Sequence, residues 1–157
     1  MRRRSARRGF ETATSDPFNL SRFVEAQTPV YAQATAELQA GRKTTHWMWF
    51  VFPQIVGLGL SPTARFYAIG SAAEARAYLA DPRLGARLRH CTDLTLAVDG
   101  RSAHDIFGSP DDVKFRSSMT LFAAVAGRPS VFERALQKYF AGAGDPRTLD
   151  ILLGTKG

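Results

Sequence analysis

The chain is short of the features that would settle its class at once. One of its 157 residues is cysteine, Cys91, so no internal disulfide can form and a disulfide-stapled secreted scaffold is excluded. Histidine occurs three times, as His46, His90 and His104, with neither His-x-x-x-His nor Cys-x-x-Cys spacing. No metal site is expected, and no cofactor is implied. Uninterrupted apolar runs reach six residues, as in 47–52, against the roughly 18–20 that a membrane-spanning helix needs. No membrane partner is therefore expected, and a cytoplasmic location is. Alternating stretches of strand length, internal repeats and low-complexity segments are missing too, which argues against a β-fold or a solenoid.

What is present begins with charge. The formal net charge is +7, from 21 basic and 14 acidic residues. Arg2, Arg3, Arg4, Arg7 and Arg8 supply five of the basic groups within eight residues, and leaving them out gives 16 basic against 14 acidic. Residues 9–16 are polar, so no apolar stretch follows the arginines as an export signal requires. Residues 1–15 read as a disordered, dispensable basic tail, and 16–157 as one α-helical domain. The near-neutral body does not point to a specific nucleic-acid partner.

Helix punctuation dominates that body. Six of the eight prolines follow Ser, Thr or Asp: Pro17, Pro29, Pro62, Pro82, Pro110 and Pro146. A capping oxygen followed by proline is the pairing expected at a helix start. Ser71-Ala-Ala-Glu74 and Ser130-Val-Phe-Glu133 add two capping boxes. Helices are expected near 20–27, 29–40, 46–52, 62–68, 72–80, 82–98, 103–107, 110–126, 131–141 and 146–152. The architecture is all-α, a compact multi-helix domain with short connections. Leu84, Leu88, Cys91, Thr95 and Val98 share one helical stripe, which makes Cys91 a core thiol.

Three segments carry groups that chemistry could use. The first is Lys43-Thr-Thr-His46-Trp47-Met-Trp49-Phe-Val-Phe52, apolar all round and expected to run through the middle of the domain. It is either a core segment whose His46 bonds to backbone, or an aromatic wall of Trp47 and Trp49 with Lys43 and His46 at its mouth. The second is Gln54-Ile-Val-Gly57-Leu-Gly59-Leu-Ser61-Pro62-Thr-Ala-Arg65-Phe-Tyr67, either an interhelix loop or an anion seat. The third is the helix after Pro110. There Phe115, Met119, Phe122 and Ala126 centre an apolar arc into which Lys114 and Ser118 intrude. A buried amine needs an acid, an anion or a snorkelling route, and Ser118 either permits a close helix crossing or bonds the carbonyl four residues back. Asp111 and Asp112 read as first-turn acids that could equally pair with Lys114.

These runs resemble an uncharacterised bacterial family, number 1810 among the domains of unknown function. The likeness is carried by His46-Trp-Met-Trp-Phe-Val-Phe-Pro-Gln54, Gly57-Leu-Gly59-x-Ser61, Glu74-Ala-x-Ala-Tyr-Leu79 and Pro82-x-Leu-Gly85-x-Arg87-Leu88. It continues in Ile106-Phe-Gly108-x-x-Asp111-x-x-Lys114 and Ser117-Ser-Met-Thr-Leu-Phe122, and spans about residues 16–152. The resemblance implies a mostly helical fold and brings no activity or catalytic residues. The label calpastatin, sometimes given to the family, has no physical support in this sequence. A more distant likeness, to a small helical family of ADP-ribose chemistry, favours a nucleotide-like ligand.

Three functions fit. The first is binding of a small anionic or nucleotide-like metabolite at Lys43, His46, Trp47, Trp49, Gly57, Gly59, Ser61, Arg65, Lys114 and Ser118. The second is an enzyme of ADP-ribose or nucleotide N-glycosidic chemistry, with Asp111, Asp112 and His46 placed to serve as acid or base. The third is a protein–protein adaptor without a ligand. Removal of residues 1–15 is expected to leave the midpoint of thermal unfolding nearly unchanged, as followed by circular dichroism. A large loss would show that the tail packs on the domain.

Overall fold

A serine or aspartate oxygen accepts one of the amides that a first helical turn leaves free, and proline lacks an amide that would be unpaired there anyway. This chemistry starts most of the helices. The computed structural model describes residues 16–155, and the expected basic tail lies outside them. Ten helices follow in order: α1 (Ser21–Gln27), α2 (Tyr31–Ala40), α3 (Met48–Val51), α4 (Pro62–Phe66) and α5 (Ala72–Ala80). Then come α6 (Pro82–Leu96), α7 (Ala103–Phe107), α8 (Asp111–Val125), α9 (Val131–Phe140) and α10 (Pro146–Thr155). The fold is all-α. The described residues contain no strand, and one parallel bridge pairs Ile55 with Ile69.

Ser61, Ser71, Asp81, Ser102 and Ser130 each accept an amide of the helix that follows. The box at Ser130 is reciprocal, as its sequence predicts, and a second forms at Ser102–Asp105. At Ser71 only half a box forms. Glu74 turns away, accepting from the Gly70 amide at 2.9 Å and from Arg22 at 2.9 Å. Pro17 and Pro29 precede turns rather than helices. Asp16 still caps from a distance, accepting from the amides of Leu20 (2.7 Å) and Ser21 (3.0 Å).

The aromatic segment departs most from expectation. Helix α3 is a single turn, not the expected span 46–52. Trp47 has a non-helical backbone (φ −144°), and Phe52 is bent away (φ −124°, ψ 73°) ahead of Pro53, which disfavours a helical predecessor. Trp47, Met48, Val51 and Phe52 nevertheless enter the core, with Trp49 and Phe50 half-buried.

The helix at the centre is α8. It buries Phe115, Ser117, Ser118, Met119, Thr120, Leu121 and Phe122, and it is contacted by α5, α7, α9 and α10. Phe52 meets Phe107 and Phe115 edge-on, and those two rings stack 4.6 Å apart. Where α5 and α6 cross, a Cβ on Gly85 would lie 2.2 Å from the Leu79 carbonyl oxygen, so only glycine permits this approach.

Two features hold residues 56–68 in place. The Ile55–Ile69 bridge closes their base with amide bonds of 2.8 Å from Val56 to Ile69 and from Ile69 to Gln54. The Arg22 guanidinium, from α1, donates to the carbonyls of Phe18, Asn19, Phe66 and Ala68 and to Glu74.

Cys91 is fully buried on the predicted stripe, and burial pushes its thiol up to about 12. Cys91→Ala is expected to cost about 1 kcal/mol of stability in a denaturant titration. The native thiol should resist a bulky alkylating reagent, and rapid labelling would contradict its placement.

Candidate functional site

The site is organised from a carboxylate that the sequence alone did not single out. Glu37, on α2, is buried and accepts from the amides of Thr44 (2.8 Å) and Thr45 (3.0 Å), the Thr45 hydroxyl (2.6 Å), Gln33 (2.8 Å) and the Trp47 indole Nε1 (2.9 Å). Burial alone would raise its pKa. The hydrogen bonds outweigh burial and hold the carboxyl well below the usual carboxylate range. This knot fixes the turn that carries Lys43, whose own amide donates to Ile106 at 2.7 Å.

From that turn the Lys43 ammonium reaches Asp111, the first residue of α8, at 2.8 Å and lies 5.1 Å from the centre of the Trp47 ring. Lys114, one turn along α8, approaches the same carboxylate at 3.6 Å and lies 5.0 Å from the Trp49 ring centre. Two ammonium groups thus share one carboxylate between two indoles. Their exposure separates them: the Lys43 side chain is 7% exposed and the Lys114 side chain 25%. The inner lysine is committed to Asp111, and the outer one can be reached from solvent.

Lys114 lines a cleft of about 190 Å³ with Gln54, Leu58, Gly59, Pro110, Val113, Ser117, Asp145 and Arg147. Asp145 accepts from Ser117 Oγ (2.9 Å), the Thr148 amide (3.2 Å) and Thr148 Oγ1 (2.5 Å) as the cap of α10. Burial would raise this carboxyl, but the bonds from Thr148, Ser117 and the Arg147 amide lower it below its ordinary value. The group therefore stays ionised, and its negative charge lines the cleft beside Lys114 and Arg147. Arg147 is exposed on the rim and has no side-chain partner among the described residues.

The other residues singled out from sequence are placed as follows. Trp47 is fully buried, so its ring serves the core and Lys43 rather than an open wall; Trp49 is half-buried beside Gly59 in a crevice of about 10 Å³. His46 is exposed, with no hydrogen bond or ion pair among the described residues. Gly57 packs toward α10, where an added Cβ would lie 3.4 Å from Ile151 Cδ1. A Cβ on Gly59 would fall 2.6 Å from the Ala64 Cβ, so this glycine answers a packing need. Ser61 caps α4, accepting from Ala64 at 3.1 Å, and Arg65 is exposed on that five-residue helix. Ser118 is fully buried, and its hydroxyl has no partner; the bond to the carbonyl four residues back is made instead by Ser117 and Thr120. Asp112 faces His104 at 3.3 Å. The structure gathers Lys43, Trp47, Trp49, Gly59 and Lys114 around Asp111 and the cleft. It does not bring in His46 or Arg65.

Asp145 and Arg147 joined the site only through the fold. Asp145-Pro146 was legible as a helix start, but nothing local connects that start to α8. No group of three or more metal-ligating side chains occurs among the described residues, and no helix there is long and apolar enough to cross a membrane.

The helical fold belongs to a family whose chemistry is not established. Residues 17–152 match the family described as "Protein of unknown function (DUF1810)", and the chain is a member of it. Among solved structures it is similar to the conserved hypothetical protein Rv1873 from Mycobacterium tuberculosis, with 54% identity and a TM-score of 0.87. That similarity covers 88% of this chain and 99% of the mycobacterial one. No curated protein matches the chain.

Because the Glu37 carboxyl is depressed in the folded protein, its contribution to stability is complete above its ordinary value of 4.5 and is lost as pH falls below it. Glu37→Ala leaves the Trp47 indole and two amides unpaired and should cost on the order of 3 kcal/mol at neutral pH. Thermal melts across the acid range check both. The variant's stability should fall less steeply between neutral pH and pH about 3 than that of the parent.

Proposed function

We propose that the protein binds a small anionic metabolite in the cleft between residues 54–59 and the first turns of α8 and α10. One observation carries this reading: Lys43 and Lys114 share the single carboxylate of Asp111, which leaves one positive charge in excess where the Lys114 side chain is three-quarters buried. A partly desolvated cation in excess is stabilised by an anion arriving from solvent. Arg147 also lines the cleft, so its charged lining, Lys114 and Arg147 against Asp145, keeps one positive charge in excess.

The cleft of about 190 Å³ is below the roughly 300–1,000 Å³ that encloses drug-sized ligands. It suits the charged head of a metabolite, with the remainder lying outside. Enzymatic nucleotide chemistry has less support, since Asp111 is held by two lysines, Asp112 faces His104, and His46 stands apart. An adaptor role draws on the exposed Leu149 and Leu153, one turn apart on α10, but they give no partner chemistry.

Lys114→Met keeps length and packing while removing charge. Calorimetric titration with ADP-ribose, NAD and simple nucleotides should show binding weakened by roughly 1–3 kcal/mol, with the melting temperature of the empty protein held or raised. Destabilisation of the empty variant with unchanged binding would make Lys114 a structural partner of Asp111. No binding across the panel would remove the nucleotide version of the reading.

A further inference from the structure

Of the two lysines at Asp111, only Lys114 lines the cleft; Lys43 and Asp111 stand behind it. The carboxylate is divided unequally between them. Its Oδ2 lies 2.8 Å from the Lys43 ammonium, while its Oδ1 lies 3.6 Å from that of Lys114, beyond hydrogen-bond distance. The Lys114 ammonium accordingly donates to no acceptor among the described residues and sits over the Trp49 ring. Lys43 is held where it is. Its amide donates to Ile106, Glu37 binds the amides of the two residues that follow, and the buried Trp47 ring lies beside its ammonium. Were Lys43 uncharged, Asp111 would have Lys114 as its remaining cation, three residues on along α8 and a small side-chain rotation away.

Resting on the anion reading above, we infer that Lys43 is the positioning residue of the site: by occupying Asp111 it keeps Lys114 free for a ligand that Lys43 itself does not touch. The pairing it prevents, Asp111 with Lys114, is intramolecular and competes directly with any bound anion. Charge makes the consequence definite. With Lys43 in place, Lys114 and Arg147 face Asp145, and the lining holds one positive charge in excess. With Lys43 neutral, Asp111 claims Lys114, and Arg147 against Asp145 leaves no excess. Removing the Asp111 charge together with that of Lys43 deletes the inner pair as a unit and returns the lining to its original balance. Removing Asp111 alone would instead strand the Lys43 ammonium, whose side chain is 7% exposed, without its acid.

Amide-resolved NMR of the full-length protein tests this with acetate and inorganic phosphate, two anions of different shape. Readout at the amides of Gly59, Lys114 and Arg147 separates the cleft from the arginines of residues 1–8. At least one of the two anions should shift these amides of the parent saturably. Lys43→Met should weaken that binding by about tenfold, the loss expected for a charge-assisted contact, although the substituted side chain lies outside the cleft. Lys43→Met with Asp111→Asn should restore it to within about twofold of the parent, an outcome that a merely structural role of Lys43 does not produce. A crystal structure of Lys43→Met supplies a readout that needs no ligand: an Asp111 oxygen should lie about 2.8 Å from Lys114 Nζ. Parent-like binding by Lys43→Met, no recovery in the folded double variant, or an Asp111 that stays apart from Lys114 would overturn the role of Lys43 and leave the anion site standing. No saturable shift in the parent from either anion would overturn both.

Discussion

A buried carboxylate must find donors or remain neutral, and Glu37 finds five. Four of them come from the few residues after α2, so the chain between Ala40 and Trp47 is wound around one charge rather than around its own backbone. That winding withdraws the Thr44 and Thr45 amides from any helix, starts α3 late, and sets the Trp47 ring edge against the carboxylate. It also aims Lys43 across the molecule at Asp111. The site's charge arrangement thus begins ten residues earlier in the chain than the aromatic segment that marks it.

The central helix solves a different problem. Helix α8 buries three hydroxyl residues among its aromatic and aliphatic neighbours. Ser117 and Thr120 donate to carbonyls of their own helix, so they bring little unsatisfied polarity inside. They also reach out: Ser117 holds Asp145, and Thr120 accepts the Asp145 amide at 2.8 Å. Small hydroxyl side chains therefore do two tasks, permitting close packing and pinning the start of α10 beside α8. Ser118 has only the first of these.

How far the sequence could be read follows from the range of the forces concerned. Capping is local, so Ser61, Ser71, Asp81 and Ser130 mark helix starts within a few residues, and the stripe through Leu84, Leu88 and Cys91 reports burial along one helix. The position of Lys114 on an apolar arc is legible for the same reason. Its relation to Lys43 is not, because their shared acid could be assigned only once α8 was set against the Thr44–Thr45 turn. Glu37 escaped notice because four of its five donors lie seven to ten residues on, across a chain reversal that no helical wheel represents. The aromatic run misled by composition: its apolarity fits a buried helix, but Pro53 at one end and the Glu37 knot at the other leave room for one turn.

Arg22 gives the loop beside the cleft a particular mechanical character. Its guanidinium ties the carbonyls of Phe66 and Ala68 to α1 and Glu74, while the Ile55–Ile69 bridge joins the loop's two ends. Residues 56–68 are thus fastened at both ends, by amide bonds where 55 meets 69 and by charge-assisted bonds at Phe66 and Ala68. The span is clamped at its ends rather than along its length: the amides of Gly57, Gly59, Leu60 and Ser61 find no acceptor among the described residues. Local opening at either clamp must therefore disturb α1 or the 55–69 bridge, whereas residues 57–61 can bend without loosening either.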